Sequence, residues 1–281
     1  MMPRPSKTIA LFTLLTTLAW TSPLLASGSA KPPVAGDRII PHKLSRDGRT
    51  VLESQIIARD YARVLTAQTW TARSTSGDDA KAAAVEEMVA TLQDAINRFV
   101  NEDGSVVVEY RLHKGSYRSK GIPEVRTQGA MGYALVYPHH SFKRATGAVG
   151  NAFNPVIDDT AYLPIKTAAY AFRHLADKER GGFYRDANKK HKELADQALG
   201  LYAIQPLIWL LHEAGIHKGS FFTTLSGITP DELRSFGIKT DEFLKSMWCE
   251  RRGVYADTFR KNGSPNFNNP SFDLSTVGCL M

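Results

Sequence analysis

The densest run of side chains able to do chemistry lies at Glu109-Tyr110-Arg111-Leu112-His113-Lys114-Gly115-Ser116-Tyr117-Arg118-Ser119-Lys120, which holds four cations, two tyrosines and a histidine within twelve residues. Arginine grips a carboxylate or sulfate through two parallel hydrogen bonds, and lysine holds it as a point charge. Histidine titrates near neutral pH and serves as a proton acceptor. Tyrosine moves protons or lays its ring on a sugar face. Such a set fits β-elimination at a uronate. A cation neutralises the carboxylate and acidifies the neighbouring C–H, a Tyr or His removes that proton, and a Tyr protonates the leaving oxygen. On this reading Tyr110, His113 and Tyr117 are candidate catalytic residues, and Arg111, Lys114 and Arg118 are candidate substrate ligands. The plainer reading of the same run is a solvated basic hairpin.

Two further segments carry the same chemistry. In Tyr137-Pro138-His139-His140 the adjacent histidines diverge on most backbones and make a poor chelating pair, so no metal site is expected there, but either His139 or His140 could act as a base. In Tyr184-Arg185-Asp186-Ala187-Asn188-Lys189-Lys190-His191-Lys192, Tyr184 is a third candidate proton carrier and Arg185 a substrate ligand. A hydrolase would instead need two carboxylates across a cleft, for which Glu109, Asp158 and Asp186 are available. The pair Asp158-Asp159 reads more simply as a helix cap. The chain lacks a Gly-x-Ser-x-Gly elbow, a phosphate-binding loop, a dinucleotide fingerprint and a zinc-protease helix. No cofactor is expected.

The elements that must position these residues begin with an address. Arg4 and Lys7 precede an apolar run from Thr8 to Trp20, and Pro23 and the small residues Ala26-Ser27-Gly28-Ser29-Ala30 follow. This is the pattern of a cleavable signal peptide over residues 1–30, too short in its apolar part to remain as a membrane anchor. The protein is therefore expected to be secreted or periplasmic, with an extended lead-in over residues 31–49 and one domain over 50–281. The chain has 35 Lys+Arg against 28 Asp+Glu; without Arg4 and Lys7 the balance is 33 against 28, a net of +5. That suits an acidic polysaccharide or another polyanion; nucleic acid is disfavoured by the address and by the missing motifs. Cys249 and Cys279, the two cysteines of an exported chain, are expected to form a disulfide that ties the C-terminal tail.

Helical periodicity predicts helices at about 51–73, 78–100, 123–137, 157–177, 191–214 and 230–249, the fifth kinked at Pro206, with a strand-like run at Ser105–Tyr110 and a loop over 138–155. A weak repeat runs through them. Gln128-Gly129-Ala130-Met131-Gly132-Tyr133-Ala134-Leu135 matches Gln197-Ala198-Leu199-Gly200-Leu201-Tyr202-Ala203-Ile204, and Glu179–Asp186 matches Glu250–Asp257, with Asp103-Gly104 at the same turn position of an earlier unit. The expected fold is mainly α, with about three helix pairs and short β-hairpin-like loops.

Within this pattern, Asp177-Lys178-Glu179-Arg180-Gly181-Gly182-Phe183-Tyr184 and Asp196-Gln197-Ala198-Leu199 resemble the helix-pair unit of the N-acylglucosamine 2-epimerase group of (α/α) toroid enzymes, and Thr127-Gln128-Gly129-Ala130-Met131-Gly132 is similar to alginate lyases and glucuronyl C5-epimerases. The resemblance covers about 60 residues. It implies an incomplete toroid or short helical array. It further implies that Tyr184 and Arg185 face a cleft floored by Gln197 and Tyr202, with Gln128 in the equivalent place. The catalytic histidines of the epimerase group and the Asn-Asn-His element of alginate lyases have no counterpart here. The function expected is an exported enzyme acting on an acidic polysaccharide, most concretely a lyase, with a non-catalytic binding protein or a secreted effector as alternatives.

Overall fold

The computed structural model describes residues 30–33, 40, 55–160, 162–214, 219–251, 253–256, 258–259 and 265–266. The expected signal peptide through residue 29, most of the lead-in, His217, Cys279 and the side chains of Asp158 and Asp159 lie outside the described residues.

The fold is mainly α. A short strand β1 (Gln55–Ile57) leads into α1 (Ala58–Ser74), which is followed by α2 (Asp78–Phe99), the hairpin β2 (Glu109–His113) and β3 (Ser116–Lys120), α3 (Val125–Phe142), α4 (Gly147–Thr160) and α5 (Leu163–Tyr170). A π-helical turn, Ala171–Leu175, extends α5. Then come α6 (Leu194–Ala214), α7 (Gly219–Ser226), α8 (Pro230–Met247) and four two-residue strands: β4 (Trp248–Cys249), β5 (Val254–Tyr255), β6 (Thr258–Phe259) and β7 (Pro265–Asn266).

Sequence spacing explains the helices. In α1 the buried residues Tyr61, Ala62, Leu65, Thr69 and Ala72 recur at three- and four-residue steps, as do Val85, Met88, Leu92, Ala95, Ile96 and Phe99 in α2. Asp78 and Asp79 sit where the first turn of α2 exposes free N–H groups, and α8 opens with a capping box between Thr229 and Glu232 ahead of Pro230.

α1, α3 and α6 lie side by side as an inner row. α2 packs on α1, and α5 packs on both α3 and α6. α8 packs through Phe236 against Phe172 and Phe183, with ring centroids 5.4 and 5.1 Å apart. α1 pairs with α2 and α3 with α5, and α8 takes the outer place of a third unit through these ring contacts with Phe172 and Phe183. Over Leu194–His212, α6 is long and apolar enough to cross a membrane (mean hydropathy 1.2), and 56% of that stretch is buried inside the fold.

The repeat is real at the level of hydrogen bonds. Each outer helix ends in a tight turn closed by the same backbone pair: Val107 N to Phe99 O at 2.8 Å, Tyr184 N to Leu175 O at 2.8 Å, and Ala256 N to Met247 O at 2.7 Å. Gly104, Gly181 and Gly253 occupy the left-handed position of these turns, at φ 86°, 76° and 63°. The third turn sits one residue further along than the sequence match placed it.

Two expectations change. The stretch 138–155 is largely helical, because α3 runs through Pro138 to Phe142 and α4 begins at Gly147. Proline forgoes one intrahelical bond, and burial of Tyr137, Pro138, His139 and Phe142 compensates, with Phe142 and His139 meeting Phe153 at 5.6 and 5.7 Å. The extended run after Gly104 makes only an isolated bridge at Val106, and the strand proper starts at Glu109. The expected Cys249–Cys279 disulfide lies outside the described residues, because Cys279 is not one of them.

Candidate functional site

The connections from outer to inner helices converge on the N-terminal ends of α1, α3 and α6, and each inner helix is joined to the next there by the same two devices. The first is an antiparallel backbone pairing just before the inner helix: Ile57 with Glu109, Glu124 with Asp186, and Glu193 with Thr258. Matching bonds run from Ala58 N to Val108 O at 3.1 Å and from Val125 N to Arg185 O at 2.9 Å. The second is an ionic ladder. Arg59 at the start of α1 faces Glu124 at 3.8 Å, and Arg126 at the start of α3 faces Glu193.

Around Arg126 the ladder becomes a network. Its Nε donates to Asp196 Oδ1 at 2.6 Å and its Nη2 to Glu193 Oε2, while Arg185 Nη1 donates to Glu193 Oε1 at 2.9 Å. Asp196 has no exposed surface. Burial lifts its carboxyl above the usual range even against the Arg126 charge, and its Oδ2 has no hydrogen-bond partner among the described residues. Sequence reasoning passed over Arg59, Glu124, Arg126, Glu193 and Asp196. The signal was present: Glu124 and Glu193 stand four residues before Gln128 and Gln197 in the two matched segments.

The β2–β3 hairpin stands at the same end, with Lys114 and Gly115 forming its two-residue turn at φ 48° and 78°. The register sets Arg111 directly opposite Arg118, Glu109 opposite Lys120 and His113 opposite Ser116. Alternation puts these six on one face and Tyr110, Leu112, Tyr117 and Ser119 on the other. Glu109 is engaged by Arg111 Nε and Gln55 Nε2, each at 2.7 Å. Lys114, Arg118 and Lys120 are exposed and make no ion pair among the described residues. Like charges directly opposite one another destabilise a hairpin; the Glu109 carboxylate offsets this at Arg111, and Arg118 is left as the uncompensated member of the pair.

Several expected site residues are committed elsewhere. Tyr110 is 1% exposed; its hydroxyl donates to Arg98 O at 2.7 Å, and burial pushes its pKa up to about 12, so it is a core residue and cannot touch a substrate. Gln128 and Gln197 are equally buried. The Gln128 amide donates to Gly104 O and Thr167 O and accepts from Val106 N, while Gln197 donates to Phe183 O and Glu193 O and accepts from Phe183 N, so both hold the glycine turns instead of a ligand. His139 is buried in the last turns of α3, where burial lowers its pKa to about 4. His140 is exposed on that same turn, fourteen residues or roughly 21 Å along the helix from Arg126 and so at the opposite end from the hairpin.

Tyr184 is half-buried. Its hydroxyl donates to Asp177 Oδ2 at 2.8 Å, and the same oxygen accepts Lys192 Nζ at 2.7 Å. Burial and the Asp177 carboxylate push Tyr184 to about 12. Despite its own burial, Asp177 is brought down to about 2 by Lys192, the Arg180 N–H and Tyr184. Tyr184 is thus a clamp on the Gly181-Gly182 turn and a poor base at neutral pH. Arg111, His113, Lys114, Tyr117 and Arg118 are gathered on the hairpin, and Arg185 is paired with Glu193 at the start of α6. Tyr117 faces away from His113 and packs, half-buried, on the core.

No family model matches the chain, and no curated protein matches it. Among solved structures, one described as the crystal structure of a sugar epimerase from a ruminal bacterium aligns over 94% of this chain and 79% of its own, at 10% identity with a TM-score of 0.37. A likeness at that level says nothing about this chain's activity.

Proposed function

We propose that this is an exported protein that binds an acidic polysaccharide at the hairpin end of the inner helices. The observation that supports it is the cationic face of the hairpin, where Arg111 and Arg118 lie side by side with Lys120 and His113 on the same surface. A free arginine such as Arg118 takes a carboxylate bidentately, and Lys120 adds a second free charge on the same face. With Tyr110 and Tyr184 committed to the fold, the proton-transfer set expected of a lyase is reduced, and binding without turnover accounts for the remaining residues most simply.

A lyase remains the second reading, supported by one specific placement. His113 stands two register positions from the Arg111–Arg118 pair on a shared face, where a base and a carboxylate clamp would be required.

The test is to incubate the protein with a panel of acidic polysaccharides, following ultraviolet absorbance of unsaturated uronate products, chain length, and retention on the immobilised polymer. Retention with neither absorbance nor shortening is the expected result. Rising absorbance with shortening chains supports the lyase, and failure to be retained contradicts both readings.

A further inference from the structure

The inner row carries an aromatic array that none of the chemistry above uses. Trp70 of α1, Tyr137 and Tyr133 of α3 and Tyr202 of α6 form a chain of ring contacts across three helices, with successive centroids 5.8, 5.4 and 5.5 Å apart. Trp70 is 57% exposed, and Tyr133 and Tyr202 are half-buried. Arg73, also exposed, lies 5.3 Å from the Trp70 centroid and 5.8 Å from that of Tyr137, and its Nη1 donates to the Tyr137 hydroxyl at 2.9 Å.

The array occupies the accessible stripe of the row. In α3 that stripe reads Arg126, Ala130, Tyr133 and Val136, and in α6 Ala195, Leu199, Tyr202 and Gln205. It therefore continues the surface that starts at the ionic ladder, and Tyr133 lies seven residues, roughly 10 Å, along α3 from Arg126.

Core packing accounts for Tyr137, but it does not account for a tryptophan left mostly in water with a guanidinium stacked against it. Exposed aromatic surface gathered in one place marks a ligand-binding surface. Aromatic faces with a single anchoring cation fit a chain whose rings present apolar C–H faces and whose substituents include carboxylates. Single-stranded nucleic acid also stacks on aromatics, but it needs a positively charged groove tracking every phosphate, and among the described residues Arg73 is the one cation stacked against these rings.

We propose that Trp70, Tyr133 and Tyr202 form a stacking platform for the sugar rings of an acidic glycan, with Arg73 receiving a carboxylate. This rests on the reading that the protein binds acidic polysaccharide, and extends it from the hairpin to a second, aromatic subsite on the same surface.

The test is titration calorimetry of the full chain with an oligogalacturonate and with an uncharged cello-oligosaccharide. Trp70→Ala weakens oligogalacturonate binding roughly tenfold, Trp70→Phe restores most of it, and Arg73→Met removes the preference for the acidic over the neutral sugar. Because Trp70 is largely exposed, unfolding curves of these variants overlay the wild type. If Trp70→Ala binds as the wild type does while Arg118→Glu/Lys120→Glu does not, the platform is wrong and the hairpin reading stands. If the wild type binds neither sugar, both fail. Tighter binding of a single-stranded oligonucleotide than of either sugar overturns the choice of ligand.

Discussion

Gln128 and Gln197 do the same work in successive helix pairs. Each lies fully buried in the first turn of an inner helix and uses both ends of its amide to close the glycine turn that follows an outer helix. A buried side chain that satisfies three backbone groups cannot be replaced by an apolar one without stranding them. Gln197→Leu is expected to cost on the order of 3 kcal/mol, measured by chemical denaturation, with Gln197→Glu also destabilising because it loses the donor to Phe183 O.

Closure of the turns requires glycine as well. A Cβ at Gly181 would meet the carbonyl of Lys239, and one at Gly104 the carbonyl of Lys166, in both cases at positive φ. Gly181→Ala therefore combines left-handed strain with a backbone clash and lowers stability by roughly 2 kcal/mol or more. Gly115→Ala in the hairpin turn, where nothing lies within 4 Å, carries the strain alone and costs less. Thermal unfolding of the two variants side by side checks the difference.

The buried ionic network makes a prediction with a pH signature. Arg126→Met leaves Asp196 as an uncompensated buried carboxylate and is expected to cost about 3 kcal/mol at neutral pH. The folded-state pKa of Asp196 is already raised and rises further in the variant, so the cost is full above that pKa and shrinks as the pH falls through it, when the carboxyl becomes neutral. Arg126→Met combined with Asp196→Leu recovers stability. A loss that stays constant from neutral to acid pH contradicts the assignment.

His139 gives the opposite sign for a base. Its pKa is near 4 in the fold and about 6.5 when unfolded, so the unfolded chain takes the proton first. Stability is full above about pH 6.5, falls as the pH drops toward 4, and then levels off, for a total of about 3 kcal/mol. His139→Phe, a ring that can keep the contact with Phe153, is expected to show a shallower acid-side slope than the wild type in denaturation curves taken across that window.

Much of this architecture is legible in the sequence, and the limits have physical causes. The helix pairs show because apolar residues recur at helical spacing, and the repeat shows because each turn demands a glycine and each inner helix a buried amide at one position. The same residues were read as substrate ligands because a buried glutamine and a cleft-lining one look alike until their partners are known. Tyr110 could have been assigned to the core from strand alternation, which sets it with Val108 and Leu112 against Glu109, Arg111 and His113. The helix through Pro138 could not be foreseen, since it depends on Phe153 arriving from the next helix. The ionic ladder joins residues nearly seventy positions apart, and only the repeat register hints at it.

The central claim is that the exposed cations of the hairpin hold an acidic polysaccharide, and affinity chromatography on immobilised polygalacturonate across a salt gradient tests it most directly. The wild type is expected to be retained at low ionic strength and to elute as salt screens the charges, whereas Arg118→Glu/Lys120→Glu, which sets one opposite-charge pair at Arg111 against one like-charge pair at Glu109 and whose unfolding curve is compared with that of the wild type, elutes in the flow-through. Retention of that variant at the same salt as the wild type would contradict the account.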